Sequence, residues 1–425
     1  MKKKILYIIL IICLLTITIL IVLQKKGSDS IKKINPVSFE NENFDFKMIN
    51  KANESNNENF MISPISIAYA LEMLKQGASS NTKVQIEKAL NNYSLPSIIN
   101  IKDKISISNL LFINNDNKND IKESFIKLLQ EKYNSDLLFD DFTTADNINN
   151  WVSEKTFKMI NKAVDNINPL TVLGLANTIA IDVEWKNQFE CSNTKSKVFT
   201  LNDGTKMNTP MMSSKNDVIY IENDNAQGII KDYKNYNIKT GEIQNDQNED
   251  TISLQYIAIL PKTNINDYLK GFNKDELNNL LSNKKEANEN LDIKYSIPKY
   301  TFDYDFKNFK QSLINIGIND MFDQNLASFN NIKKDDIDLN LYISDAIHKS
   351  HIELSESGTK ASAVTIFLMR FNSIPVQKNE TINIEFNRPF IFIIKEKNSD
   401  NIWFYGNVYK PMDFKDNKKC EENSN

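Results

Sequence analysis

The order of the apolar patterns along the chain restricts its fold more than any other feature. Helical spacing is confined to the first third of the 425 residues, and strand-like runs dominate the rest. Ser63 followed by Pro64 is typical of a helix cap and first-turn proline, and Gly77 marks the end of that helix. Two more amphipathic helices are predicted, one from a capping box at Asp120 and one over 146–161.

The later part of the chain is rich in β-compatible runs. Alternating or continuous apolar residues predict strands at 179–185, 252–260, 291–297, 382–386, 390–394 and 402–405. These runs are too numerous and too scattered for βαβ repeats, so we predict an α+β domain with several mostly antiparallel sheets. The polar stretch 231–251 is predicted to be an exposed insertion without chemistry of its own.

The N-terminus predicts a membrane segment. Three lysines precede an uninterrupted apolar run of nineteen residues over 5–23. At about 1.5 Å per residue this run nearly spans a hydrocarbon core, and no small-residue cleavage site follows it, which favours an uncleaved anchor over a cleaved signal. We therefore expect an anchor or signal at 1–26, a polar linker at 27–43, a folded domain at 44–413 and a polar tail at 414–425. The domain is expected outside the membrane, either tethered to the cell surface or secreted.

Charge and residue usage exclude several kinds of partner. The net charge is −4 with acidic and basic residues mixed, so no basic stripe is available to follow a nucleic-acid backbone. Three distant cysteines (Cys13, Cys191 and Cys420) give no disulfide framework. The two histidines, His348 and His351, have HxxH spacing without a third ligand nearby, so no metal and no cofactor is predicted.

The segment 358–381 has no helix or strand pattern of its own, although it lies between two predicted strands. It begins with small residues, continues with bulkier ones and ends with polar ones. In isolation the small, polar first half is typical of a flexible linker. Long irregular connections within a compact domain are usually functional, however, and this position favours that interpretation.

Several stretches in the same order and spacing resemble the serpin family, over about 44–411. The matching stretches are Asn59-Phe60-Met61-Ile62-Ser63-Pro64-Ile65-Ser66-Ile67, the run 177–189 with its tryptophan, Asp203-Gly204-Thr205 with Met211-Met212, Ile297-Pro298-Lys299-Tyr300, His348-Lys349, and Phe386-Asn387-Arg388-Pro389-Phe390. The resemblance implies a serpin fold, in which helices surround three mostly antiparallel β-sheets and an exposed reactive loop starts at Gly358.

The resemblance implies a suicide-substrate inhibitor and not an enzyme. A serine or cysteine endopeptidase would cleave the loop and become acylated, and the loop would then insert into the central sheet as an extra strand. The hinge residues that the resemblance assigns are Glu356, Gly358, Thr359, Ala361, Ala363 and Thr365. Alternate side chains of an inserted strand face the core, and from Thr359 onward these are all small. The sequence departs from the family at Lys360 and Ser357, where acidic residues are common.

The bond that the protease would cut follows from the family's loop length. Thirteen positions after Thr359 is Asn372, which gives a reactive bond between Asn372 and Ser373. An asparagine there would suit an asparagine-preferring cysteine protease. Arg370 and Phe371 remain alternatives, because they would suit trypsin-like and chymotrypsin-like proteases respectively.

The resemblance also assigns a cluster that controls opening of the central sheet. Its members are Ser63, Ser66, Asn177, His348, Lys299 and Trp185. The first four would lie beneath the sheet, where an entering strand must part them. Lys299 would pair with Glu356 at the top of the sheet, beside Trp185. His348 is equally well interpreted as a core histidine with its hydrogen bonds satisfied.

Two other functions stay open. The first is a non-inhibitory serpin that acts as a surface binding protein or chaperone, against which the small hinge residues argue. The second is a hydrolase using Ser63 or Ser355 with His348, although no G-x-S-x-G motif accompanies either serine. For the inhibitor, the expected partners are the target endopeptidase, in a covalent complex, and the membrane, through the N-terminal segment; the chain is expected to be a monomer.

Overall fold

The structure is a computed structural model that describes residues 43–54, 58–168, 170–245, 248–338, 340–359 and 380–417. The predicted anchor, nearly all of the linker, the end of the tail and the loop 360–379 lie outside these ranges. Seven predicted site residues are therefore not described: Ala361, Ala363, Thr365, Arg370, Phe371, Asn372 and Ser373.

Helices are concentrated in the first part of the described chain, as predicted. They are α1 (Phe44–Asn53), α2 (Pro64–Gly77), α3 (Ser80–Leu90), α4 (Glu123–Tyr133), α5 (Asp146–Lys155), α6 (Ile265–Leu269), α7 (Lys274–Ser282) and α8 (Phe309–Asn315). The predicted cap of α2 is confirmed, because the Ser63 hydroxyl accepts a hydrogen bond from the Ser66 amide at 3.3 Å and Pro64 opens the helix.

Two predicted helix boundaries are wrong. Helix α4 begins at Glu123 and not at Asp120, whose carboxylate accepts a hydrogen bond from the Asn117 side chain at 3.0 Å. Helix α5 ends at Lys155, short of the predicted 161. It ends there because Phe157 and Lys158 adopt φ values of 52° and 62°, which a right-handed helix cannot contain.

Strands make up most of the remaining chain. They are β1 (Phe60–Ile62), β2 (Asn100–Ile101), β3 (Ile105–Asn114), β4 (Ser135–Asp140), β5 (Leu173–Ile181), β6 (Val183–Glu184), β7 (Lys195–Thr200), β8 (Lys206–Lys215), β9 (Ile219–Glu222), β10 (Ala226–Asp232), β11 (Asn235–Asn237), β12 (Ile243–Gln244), β13 (Thr251–Ile252), β14 (Leu254–Pro261), β15 (Lys284–Glu286), β16 (Leu291–Pro298), β17 (Tyr300–Asp305), β18 (Lys349–Leu354), β19 (Gly358–Thr359), β20 (Glu380–Glu385), β21 (Phe390–Glu396) and β22 (Ile402–Val408).

The strands pair into five sheets in the described part of the chain. The largest has the order β1-β22-β21-β14-β10-β9-β15, and a second has the order β20-β16-β8-β7. The third sheet has the order β4-β3-β5, with β2 paired to one end of β3, and the fourth has the order β17-β18-β19-β6. These two sheets enclose the site. Only the pairs β16–β20 and β3–β4 are parallel, so the prediction of mostly antiparallel sheets in an α+β fold is confirmed.

The core explains the continuous apolar runs of the largest sheet. Every residue of β14 and β22 is buried, because this sheet is covered on both faces. Helix α2 contacts both β22 and β5, and thus lies between the largest sheet and the sheet that contains β5. Its first turn carries Ser63 and Ser66 to the underside of β5.

The stretch 231–251, which was predicted to be a plain exposed insertion, contains strands of a small three-stranded sheet. Its strands have the order β12-β11-β13, and Tyr236 in β11 is only 2% exposed. The prediction is wrong for the buried part of the stretch, since Lys231 belongs to β10 and Tyr236 is buried in β11, whereas residues such as Lys239 and Glu249 are exposed. Three sheets were expected, and the described residues form five. The insertion adds one sheet, and the absence of pairing between β5 and β18 divides another into two.

Cys191 takes part in a disulfide. The spacing of the three cysteines had left the role of this residue open. Cys13 and Cys420 lie outside the described residues.

Candidate functional site, an open strand position

Two sheets face each other across a strand position that none of the described residues fills below Thr359. One ends at β5, which pairs through one edge with β3, and the other contains β18, which pairs through one edge with β17. The facing edges of β5 and β18 do not pair with each other over the described residues. They are joined only at the top, where β19 lies between β18 and β6, the short strand that continues β5.

The joint at the top fixes the direction and register of any strand in this position. Thr359 is paired with Leu354 of β18 on one side and with Val183 of β6 on the other, antiparallel to both. The approach is close at Gly358, where a Cβ atom would lie 2.1 Å from the Val183 carbonyl oxygen, so any larger residue would push β19 away from β6.

Below this joint, a cavity of about 770 Å³ separates the two edges. Its walls include Asn177, Ile179 and Ile181 from the β5 side and His348, Ser350 and Ile352 from the β18 side. The first turns of α2 also line it, through Ser66, Ile67 and Ala70. The cavity therefore borders both strands and α2, and most of its lining is apolar.

The hinge is anchored by hydrogen bonds to Trp185. The Trp185 amide donates to the Ser357 carbonyl at 2.9 Å, and its indole nitrogen donates to the Ser355 carbonyl at 3.0 Å. The ring stacks on Tyr233 with centroids 4.4 Å apart. The Tyr233 hydroxyl lies 2.6 Å from the Thr359 hydroxyl, which shows that the Thr359 side chain faces the core.

A buried ion pair lies beside the hinge, as the sequence resemblance implied. The Lys299 ammonium and a Glu356 carboxylate oxygen are 3.0 Å apart, with side chains only 10% and 9% exposed. The other Glu356 oxygen accepts a hydrogen bond from the Thr194 hydroxyl at 2.8 Å. Removing one partner of such a pair costs about 3–5 kcal/mol, because the other charge is left buried and unpaired.

The polar residues beneath the sheet form a second cluster, which spans the open position. On the β18 side, His348 Nε2 accepts a hydrogen bond from the Ser63 amide at 3.1 Å. On the β5 side, the Ser66 hydroxyl donates to the Asn177 side-chain oxygen. Since Ser63 and Ser66 also bond each other, helix α2 connects the two edges through its first turn.

This cluster extends further than the sequence suggested. Asn177 donates to the Asn109 side-chain oxygen at 2.8 Å, and the Asn109 amide group donates to the Tyr133 carbonyl at 2.7 Å. Neither Asn109 nor Tyr133 was predicted, and a single asparagine in the strand pattern of β3 gives no signal of a buried network. Tyr233 and Thr194 at the hinge were missed for the same reason.

The His348 ring is held neutral by its surroundings. Burial lowers its pKa from 6.5 to about 4, because the surroundings of the ring disfavour the charged form. An acceptor at Nε2 requires the proton on Nδ1, so protonation of Nε2 would break the bond from the Ser63 amide. Phe309 packs against the ring with centroids 5.6 Å apart.

The geometry does not join the hydroxyl of Ser63 or of Ser355 to His348, as the hydrolase alternative would require. The contact between Ser63 and His348 runs through the Ser63 amide, while the Ser63 hydroxyl bonds Ser66. Ser355 bonds the Gly358 carbonyl and lies near Ser357. His351 bonds Asp303 at 2.7 Å, and the described residues contain no group of His, Cys, Asp and Glu able to hold a metal ion.

The domain model of the serpins, described as serine protease inhibitors, matches residues 39–411 of this chain. The chain belongs to the serpin family. The family resemblance and the serpin fold expected from the sequence are therefore confirmed. The match begins five residues before the predicted domain start at 44 and ends two residues before its predicted end at 413.

Known serpins resemble the chain over nearly their whole length. Leukocyte elastase inhibitor of Xenopus tropicalis is 29% identical over 395 residues, which cover 87% of this chain and 97% of that protein. The thermophilic serpin tengpin, in its native state, is 30% identical with a TM-score of 0.71. That match covers 89% of this chain and 97% of the tengpin chain. Thyroxine-binding globulin, in its complex with thyroxine, is 21% identical with a TM-score of 0.67, and the match covers 88% of this chain and 99% of that chain. At this identity the similarity shows the shared fold alone.

Membership in the family does not by itself decide the function of this chain. Many serpins are protease inhibitors and not catalytic enzymes, while others have different roles, so the fold by itself leaves inhibition to be argued. No helix in the described ranges is long and apolar enough to cross a membrane, and the apolar run 5–23 lies outside them.

We predict that acid weakens the cluster beneath the sheet through His348. A histidine whose pKa is lower in the folded chain than in the unfolded chain destabilises the fold as pH falls from 6.5 towards 4. The loss by pH 4 is on the order of 3 kcal/mol, at about 1.4 kcal/mol per pKa unit. The measurement is denaturant unfolding of the wild type and of His348→Gln across this pH range.

The comparison with His348→Gln is needed because a second buried group titrates in the same window. Burial raises the pKa of Asp45 to about 7, which acts in the opposite direction and stabilises the fold at low pH. This contribution is common to both proteins and cancels in their difference. Parallel pH profiles of the two proteins would show that His348 is not the acid-sensitive group.

Proposed function

We propose that the chain inhibits a serine or cysteine endopeptidase as a suicide substrate. The protease nucleophile attacks a loop carbonyl, the peptide bond breaks, the new amino terminus leaves, and the protease stays bound as an acyl ester or thioester. Before that bond is hydrolysed, the loop enters the open strand position and carries the protease with it. The observation that supports this most directly is the unfilled position between β5 and β18, with Gly358 and Thr359 already paired at its upper end.

Extending the observed register supports the roles given to the hinge residues. If pairing continues antiparallel from Thr359, residue 361 falls between Ile352 and Ile181, and residue 365 between His348 and Asn177. Because the Thr359 side chain faces the core, those of 361, 363 and 365 would face it too. Ala361, Ala363 and Thr365 are small enough for a position bounded by α2.

The same register supports the length of the inserting segment. Strand β5 extends to Leu173, which lies ten positions from Val183 and would face residue 369. Residues 360–369 would then fill the position over about 33 Å, at about 3.3 Å per residue. The acylated residue would follow at the far end, which suits a cut after Asn372 and also a cut after Arg370.

The two hydrogen-bonded clusters would control when insertion occurs. The pair of Lys299 and Glu356, with Trp185, would hold the hinge in place at the top of the sheet. Ser63, Ser66, Asn177 and His348 would form a second barrier, because a strand reaching residue 365 must enter between Asn177 and His348. In this proposal both clusters act on the rate of opening, and neither takes part in the chemistry, which the protease supplies.

A non-inhibitory role as a surface binding protein or chaperone is the alternative, since a protein of the same fold is known as a complex with thyroxine. We also propose the organisation expected from the sequence: an anchor or signal at 1–26, a linker at 27–43, an inhibitory domain at 44–413 and a tail at 414–425. A monomer tethered at the cell surface, or secreted, would meet proteases outside the cell.

Thr359→Arg is predicted to convert the inhibitor into a substrate. Thr359 is already paired and buried beside Tyr233 in the uncut chain, so a charge there would cost several kcal/mol and drive the hinge out of its pairing with β6 and β18. The inserting strand would then lack its starting register. Thr359→Ser is the matched control, because it keeps the hydroxyl and the small volume. Both variants and the wild type are incubated with a panel of serine and cysteine endopeptidases, and complexes that survive boiling in detergent are measured.

We expect stable complexes with the wild type and Thr359→Ser, and cleavage with at least tenfold less complex for Thr359→Arg. If the wild type is cut by every protease in the panel without forming a complex, the non-inhibitory alternative is favoured. Equal complex formation by Thr359→Arg would exclude insertion through this register.

The reactive bond is predicted to lie between Asn372 and Ser373. Mass spectrometry of the covalent complex should find a released fragment that begins at Ser373. Asn372→Ala should abolish inhibition of that protease, whereas Arg370→Ala, the matched control, should leave it intact. A fragment beginning at Phe371, with the sensitivity of the two variants reversed, would move the bond to Arg370.

A further inference from the structure

The polar insertion makes specific contacts with one residue of β6. We define the insert as residues 234–252, of which 246 and 247 are not described. At its start, the Lys234 amide donates to the Glu184 carbonyl at 2.8 Å. Two residues later, the buried Tyr236 hydroxyl accepts a hydrogen bond from the Glu184 amide at 3.2 Å. The insert therefore satisfies both backbone groups of Glu184.

The Glu184 side chain is held from two directions. One carboxylate oxygen lies 2.6 Å from the Lys234 ammonium of the insert, and the other lies 3.2 Å from the Lys104 ammonium, which follows β2. The side chain is only 6% exposed, compared with 12% for Lys234 and 26% for Lys104. Burial alone would raise the pKa of Glu184, but the two lysines outweigh it and hold the pKa below its ordinary value.

The hinge lies on the opposite edge of the same short strand. Glu184 is the residue that faces Gly358 across the pair of β6 and β19, and Val183 faces Thr359. The insert, β6 and the hinge therefore form three adjacent segments, with Glu184 at the centre. Residues 183–184 form a strand of only two residues, so their position depends on what holds each edge.

We propose that Glu184 is a positioning residue for hinge entry, and that the insert, through Tyr236 and Lys234, fixes the edge on which the reactive loop begins to pair. This inference rests on the proposed inhibitory function. A fixed β6 keeps Gly358 and Thr359 paired before cleavage, so that the first contacts of the inserting strand already exist. Loosening β6 would open that first pair and delay insertion, which gives the acylated protease more time to hydrolyse its bond and escape.

The test compares Tyr236→Phe and Glu184→Gln with a control that loses a similar bond elsewhere. Tyr236→Phe keeps the ring and removes only the hydroxyl that accepts from the Glu184 amide. Tyr268→Phe is the matched control, because the equally buried Tyr268 hydroxyl lies 3.1 Å from a Glu276 oxygen in the α6–α7 region, away from β6. Full-length chains in mild detergent are used throughout.

The first measurement needs no protease. Hydrogen exchange of the amides in 354–359 should be about fivefold faster or more in Tyr236→Phe and Glu184→Gln than in the wild type, as expected for the loss of one buried hydrogen bond. In Tyr268→Phe these amides should exchange at the wild-type rate, even if the melting temperature falls as much. Unchanged exchange at 354–359 in both Tyr236→Phe and Glu184→Gln would overturn the proposal, because the contacts of Glu184 would then not position the hinge.

The second measurement follows inhibition. With a protease that the wild type traps, several times more molecules of Tyr236→Phe or of Glu184→Gln should be consumed for each protease inactivated, because more of them are cleaved without trapping. Tyr268→Phe should be consumed at the wild-type ratio. Faster hinge exchange combined with unchanged inhibitor consumption would overturn the link to insertion. If the wild type traps no protease but the two substitutions still speed hydrogen exchange at 354–359, the proposed inhibitory function is wrong. The inference that Glu184 positions the hinge would still hold.

Discussion

The facing edges of β5 and β18 are the constraint on which the rest of this structure depends. Each is a strand whose second edge lacks a pairing strand below Thr359 within the described ranges. Backbone groups at such edges are satisfied less well than they would be within a continuous sheet. Filling the position would add backbone hydrogen bonds along β5 and bury the apolar walls of the cavity. In the proposed mechanism, these unpaired edges and apolar walls would supply the free energy for insertion.

In the proposed mechanism the two clusters act differently on this position: the one at the top sets where filling begins, and the one beneath the sheet opposes it. At the top, a buried ion pair and Trp185 hold the hinge against β6, so that entry starts from a defined register. Beneath the sheet, side-chain hydrogen bonds through α2 connect Asn177 to His348 across the opening. Groups of this kind contribute little net stability but are costly to leave half satisfied. They are suited to delaying a transition that is favourable overall.

The sequence predicted the fold class because the positions of its apolar runs follow directly from burial. Strands were found at all six predicted runs, since runs such as that of β14 are buried on both faces. Helix ends were less predictable, because positive φ values at Phe157 and Lys158 leave no mark in the pattern. Of the site, the sequence indicated the residues that the resemblance to serpins assigned. Asn109, Tyr233 and the insert's contacts with Glu184 depend instead on long-range packing that single-residue patterns do not encode.

In the proposed mechanism the native chain is not in its state of lowest free energy and reaches that state once the loop is cut. The most direct test is the thermal unfolding of the intact protein beside the same protein cleaved within 360–379, under identical conditions. Insertion of the freed loop predicts a distinctly higher melting temperature for the cleaved form, because the open position is then filled. Equal melting temperatures would contradict the claim, since cleavage would have released no stored free energy.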